Sequence, residues 1–392
     1  MNEELLRHLR DGSRQPQPSL GEAIVAAERA SVAAPLSLSH ACALLEINPA
    51  ADPGAFQAVL SASRRLKHEL FHGCVFAIVP VYVSSICQEH CIYCNYRAGN
   101  KDREITRVRL SDIELREELE FLTGKGFRVL ELVYATDPGI GVDDITRHIE
   151  IARDILARIG GGTVGINCRP FPTQQYARLK GAGLDFAVLW QETYDESLYA
   201  RLHPGGTEKS DFDFRLGASE RMLEAGIRHV GLGVLSGLAD WRMDWRRLMR
   251  HIDFLDHRHA APPGTIIFGL PRLKPAAGAL MQSSPMTPSD DEMLLAIATV
   301  NLFRPRALPF VNTREQWNMC LAIASGGGTL FTLNCKTIPG GYAHQRVGYQ
   351  FPTFDFGVDL YGNELRARGI EPVFDWTFES VRPEHGMEHI SQ

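Results

Sequence analysis

Three cysteines, Cys87, Cys91 and Cys94, stand at C-x3-C-x2-C in VYVSSICQEHCIYCNYRAGN, directly after an apolar, β-rich run. Thiolates are the normal ligands of iron–sulfur clusters. Three from one tight loop can each take one iron of a [4Fe–4S] cubane and leave the fourth iron open. An open iron can chelate the amino and carboxylate groups of S-adenosylmethionine and pass an electron into its sulfonium. The product is a 5′-deoxyadenosyl radical; that chemistry belongs to the cofactor, and the protein orients it. Zinc is the weaker alternative, because a structural zinc site takes four ligands and no fourth Cys or His is paired at standard spacing. A redox C-x-x-C would leave Cys87 without a role.

Such a loop needs a frame. Counting from Cys74, eight short apolar runs follow one another: CVFAIVPVYV, RVLELVYA, GTVGINC, DFAVLW, HVGLGVL, TIIFGL, ALPFVN and GTLFTLN. Helical segments such as LSDIELREELEFLTGKG, DDITRHIEIARDILARIG and TQQYARLKGAG separate most of them, several ending in Gly. Repeated β–α units predict a parallel sheet, and eight of them predict an α/β fold of the (β/α)8 TIM-barrel type. A doubly wound open sheet is the alternative. In a barrel the cysteine loop follows strand one, on the face where active sites are built.

Residues 1–72 are expected to form an N-terminal helical extension, 73–378 the barrel and 379–392 a tail. The polar, Pro-containing stretch to about residue 20 reads as loose. SLGEAIVAAERA, SLSHACALLE and DPGAFQAVLSASRRLKHELF then read as helices, two of them with a Ser cap. The extension either caps the barrel bottom or offers a partner surface. GIEPVFDWTFES is expected simply to end the fold.

With 41 Lys and Arg against 47 Asp and Glu, the net charge of −6 gives no basic excess for nucleic acid or an anionic membrane. No apolar run approaches the roughly 18 residues that span a bilayer. The N-terminus lacks the pattern of a secretory signal, so a cytoplasmic location is expected. One tight cysteine cluster and five scattered cysteines fit metal ligands plus buried thiols in a reducing compartment.

The cysteine spacing, with Tyr93 before the third cysteine and Tyr96 shortly after it, resembles the radical S-adenosylmethionine superfamily. The segments QETYDESLYARLHPGGTEKSDFDFRL, AGIRHVGLGVLSGLADW, LPRLKPAAG, NTRE at 312–315 and PGGYAHQ…YQF near 339–351 resemble, in order, its free-amino-acid lyase branch. That branch holds the tyrosine lyases of thiazole synthesis and hydrogenase maturation and the tryptophan lyase of nosiheptide-type antibiotics. The likeness runs from about Phe76 to Trp376.

The resemblance assigns roles to individual residues. It places Tyr96 beside the adenine and gives Glu192 and Arg215 contacts with S-adenosylmethionine. Physically, Glu192 can bond a ribose or an ammonium, and Arg215 can pair bidentately with the methionyl carboxylate. Arg314, after the seventh strand candidate, inherits the α-carboxylate of an amino-acid substrate, with Glu315 as a structural partner. Arg272 is expected towards the barrel mouth, in the substrate pocket or packed against the seventh loop. Where the branch commonly has T-G-E, this chain has VYATDP. Thr136 and Asp137 are expected to hold the amino end of S-adenosylmethionine, with a carboxylate one methylene shorter. Cys168 reads as a buried thiol, with an extra iron ligand as the alternative. GLGVLSG is expected to let backbone approach the cofactor, and PGGY carries no supported phosphate site. Trp190, Trp241, Phe268 and Tyr134 are candidates for a ring pocket, with buried core as the plainer reading.

The function these residues imply is a radical lyase acting on a free amino acid. The first expectation is tyrosine Cα–Cβ cleavage to dehydroglycine and p-cresol, with an electron donor such as flavodoxin or ferredoxin. A tryptophan-lyase-like reaction or another amino acid is the alternative. A non-catalytic iron–sulfur sensor or scaffold is the alternative from another class. No cysteine follows Cys335, so the second cluster of the hydrogenase-maturation enzyme, with its carbon monoxide and cyanide, is not expected.

Overall fold

The computed structural model describes residues 2–10, 17–102, 105–258, 264–354 and 357–381. Nine parallel strands form one sheet: β1 (Cys74–Ser84), β2 (Val129–Tyr134), β3 (Thr163–Asn167), β4 (Phe186–Val188), β5 (His229–Gly233), β6 (Thr265–Gly269), β7 (Leu308–Val311), β8 (Leu330–Thr332) and β9 (Glu371–Val373). The first eight fall on the eight predicted runs. From β1 to β8 each strand pairs with the next, and β1 also pairs with β8. An open sheet would leave β1 or β2 at an edge, so the sheet is a closed (β/α)8 barrel. Ser caps recur at helix starts: Ser111 with Glu114 and Ser289 with Glu292 form reciprocal capping boxes that satisfy otherwise orphaned amides.

The ninth strand corrects the expectation that GIEPVFDWTFES only ends the chain. β1 is 11 residues long because it serves two neighbours on one side. Its upper half (Val79–Ser84) pairs β2, and its lower end (Cys74–Phe76) pairs β9. Three residues are too few to show a period, so the sequence pattern could not announce this strand. Beyond β9, Trp376 and Phe378 enter a buried cluster with Phe76, Phe186, Ile267, Leu308 and Leu330. The indole Nε1 of Trp376 donates to the Ala77 carbonyl at 2.9 Å. The bottom of the barrel is therefore solid, and open space remains only towards the strands' C-terminal ends.

A second correction concerns the N-terminus. Residues Asn2–Arg10, expected loose, form a helix that buries Leu5 and Leu9. It packs on the helix Trp241–Arg258, where the Arg250 guanidinium donates to the Leu9 carbonyl at 2.9 Å. Of the expected tail, residues 382–392 lie outside the described residues. The helix Pro53–Phe71 packs against the helix Asp290–Phe303 and sends Leu70 and Phe71 into the bottom cluster. The extension thus braces one flank of the barrel and part of its floor.

Lys67 ties the two together. Fully buried, its ammonium donates to the carbonyls of Pro305 (2.8 Å) and Ala307, just ahead of β7. Burial pulls its pKa down to about 7, while the two carbonyls hold the proton in place. Lys67→Met should leave both acceptors unpaired and cost about 1–3 kcal/mol, read as a lower urea midpoint with an unchanged slope. An unchanged midpoint would remove the anchoring role.

Candidate active site

The cysteine loop leaves β1 where its register with β2 shifts between Tyr82 and Ser84. Later loops then pin it. Gln88 N–H donates to the Thr136 carbonyl at 3.0 Å and Ile92 N–H to Leu202 at 3.1 Å. The Ile92 carbonyl accepts from Leu280 and Met281 at 2.7 and 2.9 Å. Arg107 clamps the carbonyls of Ser85 and Tyr96 at 3.0 and 2.6 Å. Tyr93, between the last two cysteines, shares a 2.7 Å hydrogen bond with His203. The loop is fixed before any ligand arrives.

Cys87, Cys91 and Cys94 all line one cavity at the barrel mouth. Burial pushes the Cys87 thiol up to about 11 and the Cys91 thiol to about 12. Bare, both are neutral thiols, and a positively charged centre is what would draw their protons off. Among the described residues no three His, Cys, Asp or Glu side chains are placed to hold a single metal ion. A cubane asks each thiolate for a different iron, and three thiols on one wall fit that demand.

Close to Cys91, in the same cavity, sits a charged triplet. Glu192 accepts from the Lys209 ammonium at 2.6 Å and lies 3.6 Å from the Arg215 guanidinium. Burial alone would raise its pKa, but Lys209 and Arg215 outweigh that and bring it from 4.5 down to about 2. Arg215 also donates from two nitrogens to the Trp190 carbonyl at 2.9 and 2.6 Å. Glu192 holds φ at 74°, which a non-glycine residue rarely adopts. Strain of this kind persists where the surroundings fix it, and here a bridge to Val234 and the triplet do so.

Arg314 enters the same cavity two residues after Asn312, whose side-chain oxygen accepts its backbone N–H at 3.0 Å. Its guanidinium stacks on Phe351, 3.4 Å from the ring centre. It makes no ion pair among the described residues, and its Nε is buried without a partner. Burial accordingly lowers its pKa, against the pull of Tyr82 and Glu315.

Arg272 does not line the cavity. It pairs bidentately with Glu315 (2.9 Å for Nε) and meets Asp290 at 2.7 Å, and Lys274 adds a 3.1 Å contact to Glu315. Of the two expected placements, packing against the seventh loop is the one found. Asp137 also turns away. Its carboxylate accepts from Arg109 (2.8 Å), Ser84 Oγ (2.5 Å) and Gly139 N–H (2.9 Å), which leaves only Thr136 of that pair on the cavity wall. Arg109 and Ser84, both from the segment before the helix Asp112–Gly124, thus claim the carboxylate from outside its own loop.

Tyr96 lines the cavity with its hydroxyl tied to the Thr337 carbonyl at 2.6 Å. Cys168 lines it too, as a thiol that burial pushes up to about 12 and that donates to the Arg169 carbonyl at 3.3 Å. Trp190 stands on the wall, whereas the Tyr134 ring stacks on His148 of the helix Val142–Ala157 and, like Trp241 and Phe268, is core. Gly233 of β5 and Gly269 of β6 correct another expectation. A first side-chain carbon at Gly233 or Gly269 would lie 2.7 or 2.6 Å from the Trp190 ring. They make room for that indole, and through it for the cavity's shape. In the PGGY loop, the amides of Tyr342, Ala343 and His344 already bind the Glu118 carboxylate at 2.8–3.0 Å, so no phosphate cradle is free.

Comparison with known proteins agrees with this geometry. Residues 81–249 match the Radical SAM superfamily. The chain is similar to the 2-iminoacetate synthase of Escherichia coli (strain K12), with 31% identity over 364 residues, 91% of this chain and 92% of that protein. The chain belongs to the radical SAM superfamily.

Radical SAM enzymes use a [4Fe–4S] cluster and S-adenosylmethionine, and the chain is an enzyme of this kind; the sensor alternative falls. Among solved structures, HydG, a maturase of the [FeFe]-hydrogenase, superposes with a TM-score of 0.83 at 27% identity, covering 98% of this chain and 83% of that one. Methylornithine synthase (PylB) shares the fold, with a TM-score of 0.69 at 20% identity over 93% and 100% of the two chains. No described helix is long and apolar enough to cross a membrane.

Among the cavity residues that escaped sequence reasoning are Tyr82, Glu131, Lys209 and Gln350. The Gln350 amide bridges the Tyr82 hydroxyl (2.8 Å) and the Cys94 sulfur (3.6 Å). A Glu in the apolar run RVLELVYA was the one available signal for Glu131. Nothing marks Lys209 in a polar loop.

Glu192→Gln keeps the side chain's shape but strips Lys209 and Arg215 of their counter-charge, which should cost about 3–5 kcal/mol near neutrality. The folded carboxyl titrates below the unfolded one, so its contribution is complete above pH 4.5 and is lost as pH falls towards 2. Urea midpoints of wild type and variant should converge across that window. A gap independent of pH would contradict the triplet's electrostatics.

Proposed function

We propose that this radical SAM enzyme cleaves the Cα–Cβ bond of free L-tyrosine, giving dehydroglycine (2-iminoacetate) and p-cresol. The observation that carries this reading is the guanidinium of Arg314, which lines the same cavity as Cys87, Cys91 and Cys94, donates to the Arg272 carbonyl at 3.5 Å and has no counter-ion among the described residues. Likeness to 2-iminoacetate synthase over 91% of the chain supports the choice of amino acid and bond.

Cys87, Cys91 and Cys94 hold the cluster. With S-adenosylmethionine bound, it would supply radical hydrogen-abstraction chemistry directed at the substrate's amino group. Lys209, Glu192 and Arg215 offer both signs of charge for the methionyl zwitterion, and Tyr96 packs by the adenine. Thr136 serves the amino end through its loop. Arg314 clamps the substrate carboxylate in two parallel hydrogen bonds, and its stacking on Phe351 fixes the plane of that fork. A fixed carboxylate turns the amine towards the thiol wall, and such positioning decides which hydrogen is removed. Arg272 acts one step back, holding Glu315 and so the loop that carries Arg314. The aromatic walls keep water from the reacting carbons. The external partner is a one-electron donor of the flavodoxin or ferredoxin class.

Anaerobic reconstitution with iron and sulfide, then dithionite, S-adenosylmethionine and tyrosine, should yield 5′-deoxyadenosine and p-cresol together. 5′-Deoxyadenosine without p-cresol would remove tyrosine cleavage, and an indole product from tryptophan would select the other lyase reaction. Arg314→Lys keeps the charge but loses the fork, and should lower kcat/KM for tyrosine by about tenfold to a hundredfold.

A further inference from the structure

Glu131 stands on β2 opposite Pro80 of β1 and Gly165 of β3. Its inward-facing neighbours on the strand are Val129 and Val133, so alternation calls for an apolar residue there. It is 1% exposed, lines the cavity, and leaves Oε1 without a hydrogen-bond partner. Asn167, on β3, bonds the carboxyl but does not satisfy it. A buried polar atom left unpaired costs about 1–3 kcal/mol, and packing gives no return for it. The roles set out above leave it unused.

Its place in the cavity is informative. At about 3.3 Å per residue, Glu131 lies about 13 Å further down the strand than Ala135 at the rim. Arg314 is at the rim side, after β7. Cys335 and Tyr82 line the same cavity, and each feels both charges. Neither Glu131 nor Arg314 makes an ion pair among the described residues. The walls that join them are aromatic: Trp190, Phe310 and Phe351, with Trp190 and Phe310 edge to face at 6.0 Å. A cation at the rim, aromatic sides and a hydrogen-bond acceptor at depth match one class of ligand end to end.

We infer that Glu131 is the specificity-determining acceptor for a hydrogen-bond donor carried on the far end of an aromatic amino acid's ring. With the α-carboxylate on Arg314, the phenol O–H of tyrosine donates to Glu131 Oε1. The inference rests on the proposed function for the ligand's orientation and is independent of which bond breaks. Glu131 selects by penalty as well as by attraction: a ring without a donor leaves the buried oxygen unpaired.

The test is equilibrium dialysis of labelled L-tyrosine, L-tryptophan and L-phenylalanine against reconstituted holoenzyme with S-adenosylmethionine, for wild type, Glu131→Leu and Glu131→Gln. Wild type should bind a donor-bearing ring about tenfold to a hundredfold more tightly than phenylalanine. Glu131→Leu should erase that ratio, mainly by binding phenylalanine better and the donor-bearing ring worse. Glu131→Gln, which keeps an acceptor oxygen, should retain part of it, and covers the case in which the leucine variant does not fold. S-adenosylmethionine affinity and cluster absorbance should not move in either variant. A ratio unchanged by both substitutions overturns the inference, as does a variant that loses all three amino acids equally. A Glu131-dependent ratio without p-cresol would sink tyrosine cleavage alone, and p-cresol with a Glu131-independent ratio would sink the recognition alone.

Discussion

A guanidinium taken out of water without a counter-ion is costly, and removing the partner of a buried charge is typically worth about 3–5 kcal/mol. Arg314 is held in that condition. Its Nε is buried and unpaired, and its plane lies flat on Phe351. The chain keeps it there by spending its other charges on one another: Arg272 and Lys274 on Glu315, Arg109 on Asp137, Lys209 and Arg215 on Glu192. Among the described residues, that leaves Arg314 as a cation without a counter-ion in the cavity that the three cysteines line. That leftover, more than any single contact, defines what the cavity can take up.

The rest of the barrel serves this arrangement from below and from the side. Trp376 and Phe378 fill the lower half, so the cavity has a floor rather than a channel. Gly233 and Gly269 admit the Trp190 ring, whose carbonyl in turn receives Arg215. One aromatic residue thus shapes the wall with its ring and anchors a charge with its backbone. The cysteine loop is bonded to the loops that follow β2, β4 and β6, which makes the thiol geometry a property of the whole upper face.

Much of this was legible in the sequence, for physical reasons that differ by element. The eight barrel strands were readable because buried parallel strands are short apolar runs between capped helices. Cys87, Cys91 and Cys94 were readable because ligand spacing in one loop is a local property. Glu192 and Arg314 could be placed near the mouth from strand order, and Arg215 from the family resemblance of its segment. Arg272 and Asp137 could not, because whether a charge faces a cavity or a neighbouring carboxylate depends on side chains distant in sequence. Lys209 and Gln350 escaped for the same reason. β9 and the helix Asn2–Arg10 escaped because one is too short for a period and the other lies in a polar stretch that tertiary packing stabilises.

The central claim, that Arg314 makes this cavity a receptor for an α-carboxylate, is tested most directly by comparing tyrosine with tyramine. The two share ring and amine and differ only in the carboxylate. Anaerobic equilibrium dialysis against the reconstituted enzyme with S-adenosylmethionine gives both dissociation constants. Tyramine should bind about tenfold to a hundredfold more weakly than tyrosine, the value of a charge-assisted hydrogen-bond pair. Equal affinities would show that Arg314 does not hold the substrate and would contradict the account.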